Sequence, residues 1–138
     1  MSAKDIFHEA VKRGLVKDGW TIAADPLELE WEGVTVKIDL AADRLISADR
    51  GDEKIAIEIK SFISPSAISD FHTALGQCLN YKVMLEVHEP DRDLYLAIPL
   101  DAYETFFQTR FAQTVVTRYS LQLIVYNPIL EEIVQWIK

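Results

Sequence analysis

The chain has 138 residues, 49% of them hydrophobic and 26% charged, with 14 Lys and Arg against 22 Asp and Glu and a formal net charge of −8. That length suits one domain with a sizeable core, and the composition excludes intrinsic disorder. The acidity excludes a protein that coats nucleic acid by itself, because nonspecific binding rests on Lys and Arg contacts to phosphate. A nucleic-acid role would need a metal ion, a locally basic patch or a partner subunit to offset the repulsion.

No repeat, linker or low-complexity tract interrupts residues 1–138, so a single domain is expected. From Ala3 to Lys17 the apolar residues Ile6, Phe7, Ala10, Val11 and Leu15 form a helical stripe, stopped by Asp18-Gly19. Trp20 to Ala23 reads as a strand, and Leu27 to Trp31 and Val34 to Leu40 alternate about Glu32-Gly33 as a hairpin. Arg44 to Arg50, a turn at Gly51-Asp52 and a strand from Lys54 to Phe62 follow. Ser64-Pro65 suits a helix start, with serine as cap and proline at the first helical position. Ile68, Phe71, Leu75 and Leu79 carry that helix to about Glu86. After a loop at Asp91 to Asp93, Leu94 to Leu100 is a largely apolar strand and Tyr103 to Tyr119 a helix. Leu121 to Tyr126 is a further strand, and Ile133 to Ile137 pairs back across Asn127-Pro128. This order predicts an α/β fold, a mixed β-sheet flanked by helices.

No apolar run approaches the roughly 18–20 residues of a membrane helix, and MSAKDIFHEAVKRG carries no apolar signal core. The single cysteine, Cys78, forms no internal disulfide, so a cytoplasmic location is expected.

The stretch KIAIEIKSF carries a carboxylate and an ammonium through an apolar strand. Alternation puts Ile55, Ile57 and Ile59 on one face and Ala56, Glu58 and Lys60 on the other. The first is a core face; the second is a wet surface or a polar site. With a two-residue loop at Gly51-Asp52, Arg50 faces Glu53, Leu45 faces Glu58 and Asp43 faces Lys60, and any even loop length preserves that parity. Diagonal neighbours on one face lie ~7–8 Å apart, within reach of a shared divalent ion. Asp39 has the same parity but sits roughly 13 Å further along the strand; a bulge in AADR would favour it over Asp43. On the next helix Gln77 and Tyr81, at i and i+4, share a face that reads as separable from the apolar stripe.

An upstream acid, Glu58-x-Lys60 on a strand and Gln77-x-x-x-Tyr81 on the following helix together resemble the PD-(D/E)xK nuclease superfamily, Gln-x-x-x-Tyr being the extra motif of its RecB-like branch. This implies a restriction-endonuclease-like fold. It departs from the pattern in one respect: Asp43 follows Ala42 rather than a proline. KDIFHEAVKRGLVKDGW, KIAIEIKSF, HTALGQCLNY, DLYLAIPLDAYETFF and LIVYNP, in this order, are similar to the XisH family of fdxN-element excision controlling factors of cyanobacteria, essentially from end to end.

The resemblance implies an accessory role in programmed DNA-element excision, a reaction carried out by a separate recombinase, and a small partner of the XisI type. It makes Asp43 and Glu58 ligands of Mg²⁺ or Mn²⁺, with the Ile59 carbonyl as a third. Lys60 becomes the catalytic lysine, and Gln77 and Tyr81 position it or the phosphate. Carboxylates on a rigid sheet can hold such ions, which acidify water and stabilise charge on phosphate, while a lysine supplies a point charge. DNA would be engaged weakly by the protein alone, or through the partner. The alternative is a non-catalytic regulatory subunit that controls the recombinase through protein contacts, and a blander one is an interaction module whose polar face is structural. The apolar C-terminal hairpin is a candidate surface for homo-oligomerisation.

Other residues carry weaker signals. Glu9 matches an auxiliary acid that some such nucleases carry on the first helix, but lies roughly 150° from the stripe centre at 100° per residue, where a solvated glutamate is expected. His8 lies nearer the stripe edge and reads as a packed, hydrogen-bonded side chain rather than a base. His72, His88 and Cys78 lack zinc-ligand spacing. Trp20, Trp31 and Trp136 read as core or interface residues. Ser61, Ser64, Ser66 and Ser69 read as phosphate contacts or helix caps.

Overall fold

The computed structural model describes residues 2–138. Helix α1 (Ala3–Lys17) begins at Ser2, whose hydroxyl accepts the Asp5 N–H at 3.2 Å. It ends in a Schellman turn: Gly19, at φ +89°, and Trp20 donate back to the carbonyls of Val16 and Leu15. Strand β1 (Thr21–Ala24) follows, then the hairpin β2 (Leu27–Trp31) and β3 (Val34–Ile38), which forms a separate two-stranded sheet. Strands β4 (Leu40–Ser47), β5 (Gly51–Ile59), β6 (Arg92–Pro99), β7 (Leu123–Asn127) and β8 (Glu132–Ile137) join β1 in a six-stranded sheet of order β1-β4-β5-β6-β7-β8. The pairs β5–β6 and β6–β7 are parallel and the others antiparallel. Helix α2 (Ala67–His88) connects β5 to β6; α3 (Leu100–Glu104), a 3₁₀ turn (Phe106–Gln108) and α4 (Arg110–Arg118) connect β6 to β7.

Parallel strands need helical crossovers, so this sheet is covered on both faces. Leu40, Ala42, Ile55, Ile57, Tyr95, Ala97, Ile124 and Tyr126 pack beneath α1. Ala56, Leu94, Leu96, Ile98, Leu123 and Val125 pack with α2, the β2–β3 hairpin and the helices after β6. This explains the near-continuous apolar runs of β6 and β7. It also settles the second face of KIAIEIKSF: Ala56 is fully buried and Glu58 only 5% exposed, so that face is interior.

Four expectations are corrected by local geometry. The β4–β5 turn is not Gly51-Asp52. It lies at Ala48 to Arg50, with Gly51 at φ +72° as the first residue of β5, opposite Ser47. The Ser47 hydroxyl holds this turn, donating to Asp49 Oδ1 at 3.0 Å and accepting the Arg50 N–H at 3.1 Å. A three-residue loop closed by a left-handed glycine is the next commonest hairpin after the two-residue kind. With a bulge between Leu45 and Ser47, which restores the parity that an odd loop alone would flip, it slides the register so that Leu40 faces Ile57 and Asp43 faces Lys54, not Lys60.

Helix α2 starts later than predicted, because the Ser64 hydroxyl bonds the N–H and carbonyl of Ser66 around Pro65 and leaves Ser66 as the cap. Its buried face is Phe71, Ala74, Cys78, Tyr81, Met84 and Leu85, whereas Ile68 and Leu79 are exposed. Small Ala74 and Cys78 face the sheet, and Tyr81 belongs to that face rather than to a separate polar one. The helix predicted over Tyr103 to Tyr119 is broken at Thr105 and capped again by Thr109, whose hydroxyl accepts the Ala112 N–H at 3.2 Å. The break turns Phe106 and Phe107 onto Phe71 and Phe62.

A candidate carboxylate and lysine site

Asp39 sits in the bend where the chain leaves the hairpin and enters the main sheet. One step beyond the Leu40–Ile57 pair, it lies opposite Glu58. Its Oδ2 accepts the Ile59 N–H at 2.8 Å, and its own N–H lies 3.4 Å from Glu58 Oε1. On the other side of Glu58, Lys60 Nζ approaches Oε2 to 3.6 Å. The three side chains thus converge at the C-terminal end of β5, a sheet edge at which α/β proteins commonly bind ligands.

Asp43, the acid favoured by the assumed turn, is elsewhere. Its Oδ1 lies 2.8 Å from Arg92 Nη1, in an ion pair away from Glu58 and Lys60. Glu9 is half-exposed on α1, 4.0 Å from Arg13. If a divalent ion binds here, alanine at Asp39 is expected to abolish Mg²⁺ or Mn²⁺ binding and alanine at Asp43 to leave it intact; isothermal titration of both variants checks this, and the reverse pattern would exclude Asp39 as a ligand.

The electrostatics of the group follow from its burial. Desolvation, and secondarily the negative charge of Asp39, push the Glu58 carboxyl up to about 8, against the partial relief of Lys60. Burial, together with the charges of Glu58 and Asp39, raises the Tyr81 hydroxyl to about 12, so it stays a neutral donor. Gln77 Oε1 is sealed from solvent and finds no hydrogen-bond partner among the described residues. The Cys78 thiol is likewise raised to about 12 by burial and is inert.

This donor set fits a hard divalent ion. Mg²⁺ is held by one or two carboxylates, with water and substrate phosphate completing its shell, and a dication would relieve the repulsion between Asp39 and Glu58. Among the described residues no cluster of three or more His, Cys, Asp or Glu side chains forms an all-protein cage. Asp39 and Glu58 would supply the carboxylates, and the Ile59 carbonyl remains the proposed third donor.

A cavity of about 290 Å³ opens beside the group. Asp39, Lys60, Ser61 and Ser64 line it from the sheet end and the following loop, and Lys4 and His8 from α1. The loop is pinned: Lys60 N–H donates to Ala97 O at 3.0 Å, Lys60 O accepts the Tyr126 hydroxyl at 3.2 Å, and Phe62, at φ +53°, is clasped by Phe106 and Phe107. His8 is hydrogen-bonded as expected, with Nε2 2.8 Å from Asp25 Oδ1, yet it faces this cavity. Nothing in the spacing of His8 and Lys4 signals that placement; it arises because Phe7 packs edge-on against Tyr126 and brings the start of α1 over the end of the sheet.

The family model for XisH protein matches residues 1–134. The chain belongs to the XisH family. Two solved structures agree closely with this XisH-family chain. An XisH family protein from Nostoc punctiforme PCC 73102 is 47% identical, with a TM-score of 0.89 over 97% of this chain and 100% of that one. A fdxN element excision controlling factor protein from Anabaena variabilis is 49% identical, with a TM-score of 0.88 over 97% of this chain and 99% of that one. No curated protein matches significantly. Among the described residues, no helix of this XisH-family protein is long and apolar enough to cross a membrane.

Proposed function

We propose that this XisH-family protein is an accessory factor of programmed DNA-element excision whose Asp39, Glu58 and Lys60 form a phosphodiester-hydrolysing site dependent on Mg²⁺ or Mn²⁺. The observation that carries the reading is the buried Glu58 carboxylate set against the half-buried Asp39, beside Lys60 and a cavity that Asp39 and Lys60 line. A purely structural role would not favour a buried carboxylate at Glu58 with a second carboxylate, Asp39, beside it. The relative from Anabaena variabilis, described as an excision controlling factor, supports the excision context. The chain order of acid, Glu-x-Lys and Gln-x-x-x-Tyr supports the restriction-endonuclease-like, PD-(D/E)xK reading.

In this reading Asp39 and Glu58 hold the ion, which when bound supplies positive charge to the phosphate and acidity to water. Lys60, fixed at its backbone by Ala97 and Tyr126, places its ammonium against the phosphate oxygens and the attacking water. Tyr81 and Gln77 hold Lys60 or the phosphate in register. Ser61, which lines the cavity, offers a hydroxyl donor to the phosphate. The net charge of −8 limits the affinity for DNA and supports delivery by a XisI-type subunit, with Ile129 (88% exposed) and Leu130 on the C-terminal hairpin as a contact surface between subunits. The same charge favours a second reading, a non-catalytic subunit regulating the recombinase by protein contacts.

Cleavage of plasmid and branched DNA with Mg²⁺ or Mn²⁺ separates the two, comparing wild type, Glu58→Ala and Lys60→Ala, with and without a XisI-type partner. Lys60→Ala is expected to lower the rate by about 10²–10³, the range for removing one electrostatic donor, and Glu58→Ala to abolish it. Absence of cleavage by the folded, partner-bound wild type would leave the regulatory reading standing.

A further inference from the structure

We propose that His8, oriented by Asp25, donates the proton to the leaving oxygen of the phosphodiester in the cavity beside Lys60. The assignment rests on the hydrolytic reading above and adds a role on the opposite side of the sheet. Helix α1 packs on the face away from α2, yet Lys4 and His8 line the same cavity as Asp39 and Lys60. Their placement is rigid. Phe7 lies edge-on to Tyr126, whose hydroxyl is bonded to the Lys60 carbonyl, so α1 and the lysine share one support.

The ring is also held in one orientation. Asp25 Oδ1 accepts from His8 Nε2 at 2.8 Å, and Oδ2 accepts from Lys12 Nζ at 2.8 Å. Burial alone would raise the Asp25 carboxyl, but the hydrogen bonds and charges of Lys12 and His8 hold it below its ordinary value, so it remains an anion. Engaging Nε2 leaves Nδ1 as the free ring nitrogen, and among the described residues it has no hydrogen-bond partner. A carboxylate that fixes one imidazole nitrogen and leaves the other for chemistry is a recurring arrangement for proton transfer. The side chain is 23% exposed, so it can recover a proton from solvent after turnover.

The step balances. The attacking water forms the new P–O bond and releases its proton to solvent. The bond from phosphorus to the leaving oxygen breaks, its electron pair stays on that oxygen, and the oxygen takes the Nδ1 proton. The neutral ring is then reprotonated by solvent. Such an alkoxide is a poor leaving group without a proton, whereas p-nitrophenolate leaves readily without one.

The test compares wild type, His8→Gln and Asp25→Asn on DNA and on bis(p-nitrophenyl) phosphate with Mn²⁺, alongside thermal unfolding and Mn²⁺ titration. His8→Gln keeps a donor for Asp25 and is expected to unfold as wild type does and to bind Mn²⁺ unchanged. It should lose about 10²–10⁴ in kcat on DNA, the worth of general acid catalysis, with no loss on the aryl ester; Asp25→Asn should lose less, on DNA alone. Equal losses on both substrates, no loss on DNA, or weakened Mn²⁺ binding in His8→Gln would overturn the assignment while leaving the hydrolytic reading intact. A wild type inactive on both substrates would remove that reading and this assignment with it.

Discussion

Arg92→Ala is expected to lower the stability of the fold by about 3 kcal/mol, the lower end of the cost of breaking a buried ion pair. Arg92 opens β6, is only 8% exposed, and sits where three strands and the end of α2 meet. Its Nη1 donates to the carbonyls of Ala42 (3.3 Å) and Ile55 (3.0 Å) and to Asp43 Oδ1 (2.8 Å); its Nε donates to Glu89 Oε1 at 3.1 Å. Alanine would leave Asp43 and Glu89 without their counter-charge. Both are about one-third exposed, so water softens that part of the loss. The buried carbonyls have no such relief. The expected drop in melting temperature is about 10 °C, read by circular dichroism. Arg92→Lys should recover only part of it, because an ammonium cannot reproduce the guanidinium fork. A shift of Arg92→Ala within error of wild type would remove the claim that this residue locks β4, β5 and β6 together.

Glu58 gives the second large effect, and its sign is opposite to that of an ordinary carboxylate. Burial and the Asp39 charge raise its pKa from 4.5 to about 8. Between those values the folded state keeps a proton that the unfolded chain has lost. Stability is therefore highest below the unfolded value, falls as pH rises toward 8, and levels off above it. The span corresponds to a few kcal/mol, at about 1.4 kcal/mol per unit. Without divalent ions the wild-type melting temperature should decline from pH 5 to pH 8.5, and Glu58→Gln should be flatter and more stable than wild type at the alkaline end. Mg²⁺ or Mn²⁺ should restore the wild type there by mass action and leave the variant unmoved. Asp25, whose pKa is lowered from 3.8, weakens the fold only at more acid pH, outside this window. A level wild-type profile across pH 5–8.5 would show that Glu58 is not desolvated as described.

How much of this was legible in the sequence differs from element to element. Helix α1 was readable within its own bounds because the stripe from Ile6 to Leu15 and the stop at Asp18-Gly19 are local signals that act over one turn. The β2–β3 hairpin was readable for the same reason, although its second strand ends at Ile38 and Leu40, expected to close it, opens β4 in the other sheet. Glu58 and Lys60 were readable as a pair because strand alternation needs nothing beyond neighbouring residues, and the order of motifs was enough to point to the XisH family.

The partner acid was not readable. Asp39 and Asp43 have the same parity, and the length of the β4–β5 turn together with the bulge between Leu45 and Ser47 distinguishes them. Ser47 four residues before Gly51 is the pattern of a three-residue loop ending in a left-handed glycine, but that loop alone would reverse the parity, and the bulge between Leu45 and Ser47 was needed as well. The buried face of α2 was misjudged because large apolar residues were assumed to point inward. Ala74 and Cys78 face the sheet instead, a choice made by how closely the helix approaches β5 and β6.

The sequence by itself determined the element types, the charge, the family and the Glu58-x-Lys60 pair, all of which depend on interactions between near neighbours. Only the tertiary structure decided that Asp39 completes the pair, that Arg92 takes Asp43, and that His8 shares a cavity with Lys60. Those outcomes depend on strand register and on how α1 seats against Tyr126, which are set by the packing of residues far apart in the chain.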